Sequence, residues 1–341
     1  MSAADRSVRR WLIWSAAAVA LAVAVGGITR LTESGLSITE WRPVSGVLPP
    51  LSGAEWDAAY QRYLQIPEAQ TVHRGITLGQ FQSLFWWEWV HRLLARAVGL
   101  VLAIPYFFLL LRRRIRSAHR LRLLLLPLLA AAQGALGWYM VKSGLAERND
   151  VSAYRLTAHL GLALVIYVIC VWTALDLGKS LPATDQPANR PHRGVLAGVG
   201  LALLTMLSGG FVAGLDGGKV YNTFPLMGGR LVPPGYRLYA SWWRDAFENP
   251  VAAQFHHRVI AVGTTLVLLA LAWATTRQNA PAPLRRALSL LAVAVVAQVA
   301  LGIATLLLAV PLGLGVLHQL MGLAVLTAAL VAAHRTGQSM A

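Results

Sequence analysis

The sequence predicts an all-α integral membrane protein. Its eight transmembrane helices should form two tandem four-helix bundles with pseudo-two-fold symmetry along the membrane normal. Three observations carry that reading. Apolar residues make up 56% of the 341 and charged residues only 13%. Near-continuous apolar runs recur eight times along the chain. The last four runs repeat residue markers of the first four.

The runs lie at about 11–29, 85–111, 121–141, 156–177, 194–214, 253–275, 284–309 and 313–334. Each reaches the ~20 residues a helix needs to cross ~30 Å of hydrocarbon. The first is too long for a cleaved signal and has no small-residue cleavage tract after it, so it is expected to be a retained span. The 30–84 stretch is the longest non-membrane segment. Its Pro43, Gly46, Pro49, Pro50 and Gly53 suggest turns around a short amphipathic helix near 53–65 that caps the outer face.

Charge sets the expected orientation. The N-terminus, the 112–122, 179–193 and 277–286 loops and the C-terminus carry 16 Lys/Arg against 3 acids, while the opposite loops carry 11 of each. The positive-inside rule then puts both termini in the cytoplasm. The net charge of +16 is mostly a topology signal. A nucleic-acid patch would gather its basic residues on one soluble face; here they flank helices in five separate segments, so the expected partner is the lipid bilayer and no nucleic acid. No Arg/Ser-rich transit peptide precedes the first run, which makes the bacterial cytoplasmic (inner) membrane the expected location.

Helices two, four, six and eight begin on the outer side, and each carries a histidine near that start: His91, His159, His257 and His318. Intramembrane ionisable residues are rare and usually functional. An internal repeat relates them. Laying His91-Arg92 on His257-Arg258 also brings Gln133–Gly137 close to Gln298–Gly302, and His159 with Gly161-Leu162-Ala163 close to His318 with Gly322-Leu323-Ala324. Gly26-Gly27 and Glu33-Ser34-Gly35 echo Gly209-Gly210 and Asp216-Gly217-Gly218. Halves of four helices share one orientation, which implies an axis along the membrane normal. The division expected is 1–178 and 179–341.

A lone membrane histidine is usually a satisfied core residue; four at matching places in a repeat argue for ligation. One histidine from each of two facing helices suits axial ligation of haem iron. Zinc would need three or four protein ligands. Covalent haem attachment lacks its C-x-x-C-H, and the single cysteine, Cys170, can form no intramolecular disulfide. Arg92, Arg96 and Arg258 are candidates for haem propionates, against a bland role of snorkelling to the interface; a buried acid is the other partner for Arg96. Glu88 precedes His91 by three residues and shares its helix face. The equivalent position in the second half is Gln254. A carboxylate beside one site and an amide beside the other suggests that the first site does chemistry and the second carries electrons, although Glu88 also stands in an interfacial belt of Phe85, Trp86, Trp87 and Trp89.

Six blocks carry a family resemblance: GGITRLTESGLSITEW (26–41), FWWEWVHR (85–92), VSAYRLTAHLGLA (151–163), GLDGGKVYNTFPLMGG (214–229), QFHHR (254–258) and GVLHQLMGLA (315–324). Over nearly its full length the chain resembles the heme A synthase family, in the branch shared by proteobacteria and mitochondria. The resemblance implies oxidation of the C8 methyl of heme O, through a hydroxymethyl intermediate, to the formyl group of heme A for terminal oxidases. It implies that His91 and His159 hold the substrate haem, that His257 and His318 ligate a resident heme B, and that Glu88 is the acid needed for activity. It also implies two partners, a heme O synthase and an electron donor; a homo-oligomer is compatible with the sequence.

The chain departs from the family in two places. Other branches carry a cysteine pair in the first outer loop, and this one does not. A Glu-Phe-Lys-like element is expected before FWWEW, and Gln80-Phe81-Gln82 stands there. His256 adjoins His257 and competes as a ligand, with the repeat favouring His257. The alternative function is a di-haem cytochrome b that passes electrons from quinol. A repeated transporter fits less well, because transporters interrupt helices near the midplane.

Overall fold

The computed structural model describes residues 1–42, 45–147, 151–178, 191–277 and 280–338. Most of the expected 179–193 linker, with the proposed boundary between halves, lies outside the described residues.

Among the described residues, eight long helices are apolar enough to cross a membrane: α1 (Ala3–Leu31), α4 (Leu78–Leu111), α5 (Ser117–Glu147), α6 (Ala153–Leu177), α7 (Pro191–Gly214), α9 (Pro250–Arg277), α10 (Ala282–Leu307) and α11 (Leu312–Gln338). Three short helices, α2 (Gly53–Leu64), α3 (Pro67–Thr71) and α8 (Trp242–Glu248), lie in the connections. Leu100, Ile104, Leu121, Leu266, Trp273, Leu290 and Val293 stand largely exposed on the outside of the bundle. So wide an apolar surface calls for lipid as its solvent.

The ring of α1, α4, α5 and α6 is closed by successive helix contacts, and α7, α9, α10 and α11 close a second ring in the same order. The rings meet through α1 on α11 and through α6 on α7, contacts that exchange when one ring is laid on the other. The shared core, around Leu12, Val19, Leu164, Cys170, Val199, Leu326 and Leu330, runs through that junction. Within that core the Tyr167 and Thr327 hydroxyls meet at 2.8 Å, and elsewhere Arg30 reaches the Ala213 carbonyl at 2.8 Å and Asp216 at 2.7 Å. These bonds tie the halves together at two depths.

The expected amphipathic helix forms as α2. Ser52 and Glu55 close a capping box at its start, satisfying two orphan donors. α4 begins at Leu78, seven residues before the apolar run, because Thr77 and Gln80 make another capping box there. His91 therefore sits thirteen residues into its helix, deeper than its sequence run suggested. The extra turns are stabilised by tertiary packing: Phe81 and Phe85 join Leu36, Tyr63, Ile66 and Ala69 in a second apolar cluster beneath α2 and α3. The Gln-Phe-Gln segment thus serves as a helix cap and a core anchor.

Candidate functional site

The four histidines occupy one repeated geometry. Each ring lies across a glycine of a neighbouring helix: His91 on Gly26 of α1, His159 on Gly137 of α5, His257 on Gly209 of α7 and His318 on Gly302 of α10. A Cβ at these glycines would stand 2.9, 3.1, 3.2 and 2.8 Å from the ring Cε1, respectively. Each approach is closer than the ~3.5–4.0 Å of ordinary carbon contact, so these positions need the missing side chain. In all four pairs Nε2 is the nitrogen farther from the glycine. Burial without a hydrogen bond falls on Nδ1 in His91, His159 and His318.

The histidines also pair. His91 lies within electrostatic range of His159, and His318 within range of His257. Two imidazoles from different helices, each seated with Cε1 against a glycine, form a donor pair that could ligate a haem iron. Among the described residues no group of three His, Cys, Asp or Glu side chains could chelate a metal ion. The donor set therefore suits a tetrapyrrole better than a bare cation.

The glycine doublets serve both halves. While Gly26 and Gly209 receive histidines of their own ring, the next residues face the other ring: a Cβ on Gly27 would meet Gln319 of α11, and one on Gly210 would meet Thr157 and Leu160 of α6. Gln319 also donates to the Val23 carbonyl at 3.1 Å. Packing of the two halves and seating of the rings are thus fixed within one helical turn.

Glu88 is buried, and its Oε1 accepts from Arg92 Nε in an i,i+4 ion pair. The rest of the Arg92 guanidinium holds the connection between α1 and α4, donating to the Ile38 carbonyl at 2.8 Å and the Glu40 carbonyl at 3.1 Å. Arg96 donates to the Arg42 carbonyl at 3.0 Å and lies within electrostatic range of Glu88, the acid partner that the sequence suggested as one option. In the second half Arg258 donates to the Tyr221 and Thr223 carbonyls, both at 2.7 Å, and Gln254 to Tyr221 at 3.0 Å. Both histidine-linked arginines thus clamp loop backbone over their sites, a role that their spacing had not revealed.

His256 and His257 separate cleanly. His256 Nε2 meets the Tyr236 hydroxyl at 2.8 Å in the connection between α7 and α9, while His257 faces Gly209, Ser208 and His318. The sequence had marked the glycines only as repeat landmarks; the shared spacing of glycine and histidine blocks was the signal that could have paired them. Ser208 carried no signal of its own.

Two paired-histidine sites in a helical membrane protein form an arrangement able to hold a haem between helices. The comparison with known proteins narrows this: the cytochrome oxidase assembly protein family (COX15-CtaA) matches residues 9–330, and the chain belongs to that family. It is similar to the heme A synthase of Nitrosospira multiformis, 44% identical over 340 residues, covering 97% of this chain and 94% of that protein. The heme A synthase of Rhodospirillum centenum is 46% identical, with coverages of 97% and 88%, and that of Maricaulis maris 43%, with coverages of 99% and 98%.

Proposed function

We propose that this chain is a heme A synthase, oxidising the C8 methyl of heme O to a formyl group. Its near full-length similarity to proteins of that name supports the reading. The site observation that carries it is the difference between two otherwise matching halves: a buried carboxylate, Glu88, beside His91, where Gln254 stands beside His257.

In this reading residues 1–178 hold the substrate and residues 179–341 an electron-transfer site. Heme O enters laterally from the lipid with its farnesyl tail between helices, and His91 and His159 hold its iron. Two oxygen insertions, each a two-electron oxidation that requires an external oxidant (dioxygen or a higher-potential electron acceptor), carry the methyl to hydroxymethyl and then to a gem-diol, which loses water to leave the aldehyde. Glu88, one turn from His91 on the same face, takes up protons released at the substrate or orients a water. Arg92 keeps that carboxylate aimed and keeps the first outer loop closed above it. A resident heme B between His257 and His318 supplies one-electron transfer when bound. Gln254 and Arg258 hold the second loop with neutral and cationic donors and offer no base. Both termini are cytoplasmic and both sites lie toward the outer face, where an electron donor docks; a heme O synthase supplies the substrate.

The test is chromatography of acid-acetone haem extracts from a host that makes no heme A, expressing this chain with a heme O synthase. Heme A or its hydroxymethyl precursor is the expected product. Heme B alone, at about two per folded protein, would instead identify a di-haem electron-transfer cytochrome.

A further inference from the structure

The two halves also differ beside the ligand rings. The residue preceding each histidine-facing glycine holds the same register in all four pairs: Val25, Leu136, Ser208 and Leu301. Only Ser208 is polar. Its Oγ donates to the Thr205 carbonyl at 2.7 Å and lies 2.9 Å from His257 Nδ1. With its own proton committed to Thr205, the Ser208 oxygen meets the ring as an acceptor. The imidazole proton therefore stands on Nδ1, and Nε2 keeps its lone pair for a metal.

The acceptor sits on a braced turn. Thr205 Oγ1 donates to the Leu201 carbonyl at 2.8 Å, and the Thr264 hydroxyl of α9 meets it at 2.8 Å. The other rings lack a serine acceptor: Nδ1 of His91, His159 and His318 makes no hydrogen bond, and the Gln298 carbonyl near His318 has its counterpart at His257 in the Thr205 carbonyl. A ligand histidine whose second nitrogen donates a hydrogen bond is fixed in tautomer and orientation and is the more basic ligand.

We propose that Ser208 is a positioning residue for the second haem site, and that it sets both the hold on that haem and its potential. This rests on the reading that His257 and His318 ligate a resident haem. The more basic His257 favours ferric over ferrous iron and lowers the midpoint potential. His91, with Val25 at the equivalent place, gains no such anchor. That difference suits a first site that must release its product and a second that must keep its cofactor.

The experiment is spectroelectrochemical titration, with haem quantified per protein, of purified parent, Ser208→Ala and Ser208→Thr. Ser208→Ala is expected to raise the midpoint, each tenfold loss of ferric preference being ~59 mV for one electron. Ser208→Thr, which retains the hydroxyl, should stay at the parental value. Loss of haem in Ser208→Ala that Ser208→Thr restores also supports the role. A haem-replete Ser208→Ala at the parental potential overturns the role of Ser208 alone. A folded parent without haem in its second half overturns the two-site reading, and this inference with it.

Discussion

Gly302→Ala tests the seating of the histidines most sharply. A Cβ there stands 2.8 Å from His318 Cε1. Relief to ordinary contact at about 3.5 Å requires the ring or its helix to move by about 0.7 Å. Gly209→Ala, in the same site, starts from 3.2 Å and requires about 0.3 Å. Misplacement on the order of 1 Å costs about a hundredfold where geometry is demanding. Gly302→Ala should therefore lose most of the second-site haem and Gly209→Ala only part. Gly263→Ala in α9, where a Cβ meets nothing within 4 Å, is the control and should lose none. Helix propensity pulls the other way, since Gly→Ala in a helix interior ordinarily stabilises by about 0.5–1 kcal/mol. Pyridine haemochrome per protein, measured beside thermal melting of the apoprotein, separates the two effects. Parental haem content in Gly302→Ala would show that the ring is not pressed against that glycine.

Further predictions follow from the clamps and the loops. Glu88→Gln copies the neutral arrangement of the second half, so haem content should hold while heme A formation falls by about 10²–10⁴-fold, read by haem chromatography; full product formation would remove Glu88 from the chemistry. Arg92→Ala leaves the buried Glu88 without its closest cation and frees the Ile38 and Glu40 carbonyls. A cost of about 3–5 kcal/mol is expected in denaturation in detergent, and an unchanged midpoint would contradict the clamp. In the connection between α1 and α4, burial lowers the His73 pKa below its usual 6.5, partly offset by Glu33 at 3.7 Å, and its Nδ1 meets the buried Tyr63 hydroxyl. The folded loop thus disfavours protonation, so its stability is full above about pH 6.5 and declines as pH falls below it. Hydrogen-exchange protection factors across α2 and α3, corrected for the intrinsic rate at each pH, should fall between pH 7.5 and 5.5, and His73→Gln should abolish that fall.

Much of the architecture was legible because a bilayer leaves few choices. Every backbone polar group must be satisfied within its own segment, so eight apolar runs give eight helices. The histidines were legible because an ionisable group at that depth stands out. Two kinds of feature stayed hidden. The long start of α4 had a local signal, a Thr77/Gln80 capping box with Leu78, Phe81 and Phe85 at helical spacing, but the packing of Phe81 and Phe85 under a loop is a tertiary contact that residues 78–84 alone do not show. The arginine clamps use loop carbonyls, which every residue carries, so no side chain in the loops marked Ile38, Glu40, Tyr221 or Thr223 as partners. Short helix α8 escaped for a related reason. Asp245 anchors it through the Leu238 and Tyr239 amides, which hold its carboxyl below the usual carboxylate range.

The division of labour between the halves is tested most directly by identifying each haem retained by four variants, His91→Ala, His159→Ala, His257→Ala and His318→Ala, purified after coexpression with a heme O synthase. Variants at His257 and His318 should lose heme B. Those at His91 and His159 should keep heme B at the parental ratio yet contain neither heme O nor heme A. Equal loss of heme B from all four variants, or retention of heme B without ligands at His257 and His318, would contradict a substrate site in the first half and a resident site in the second.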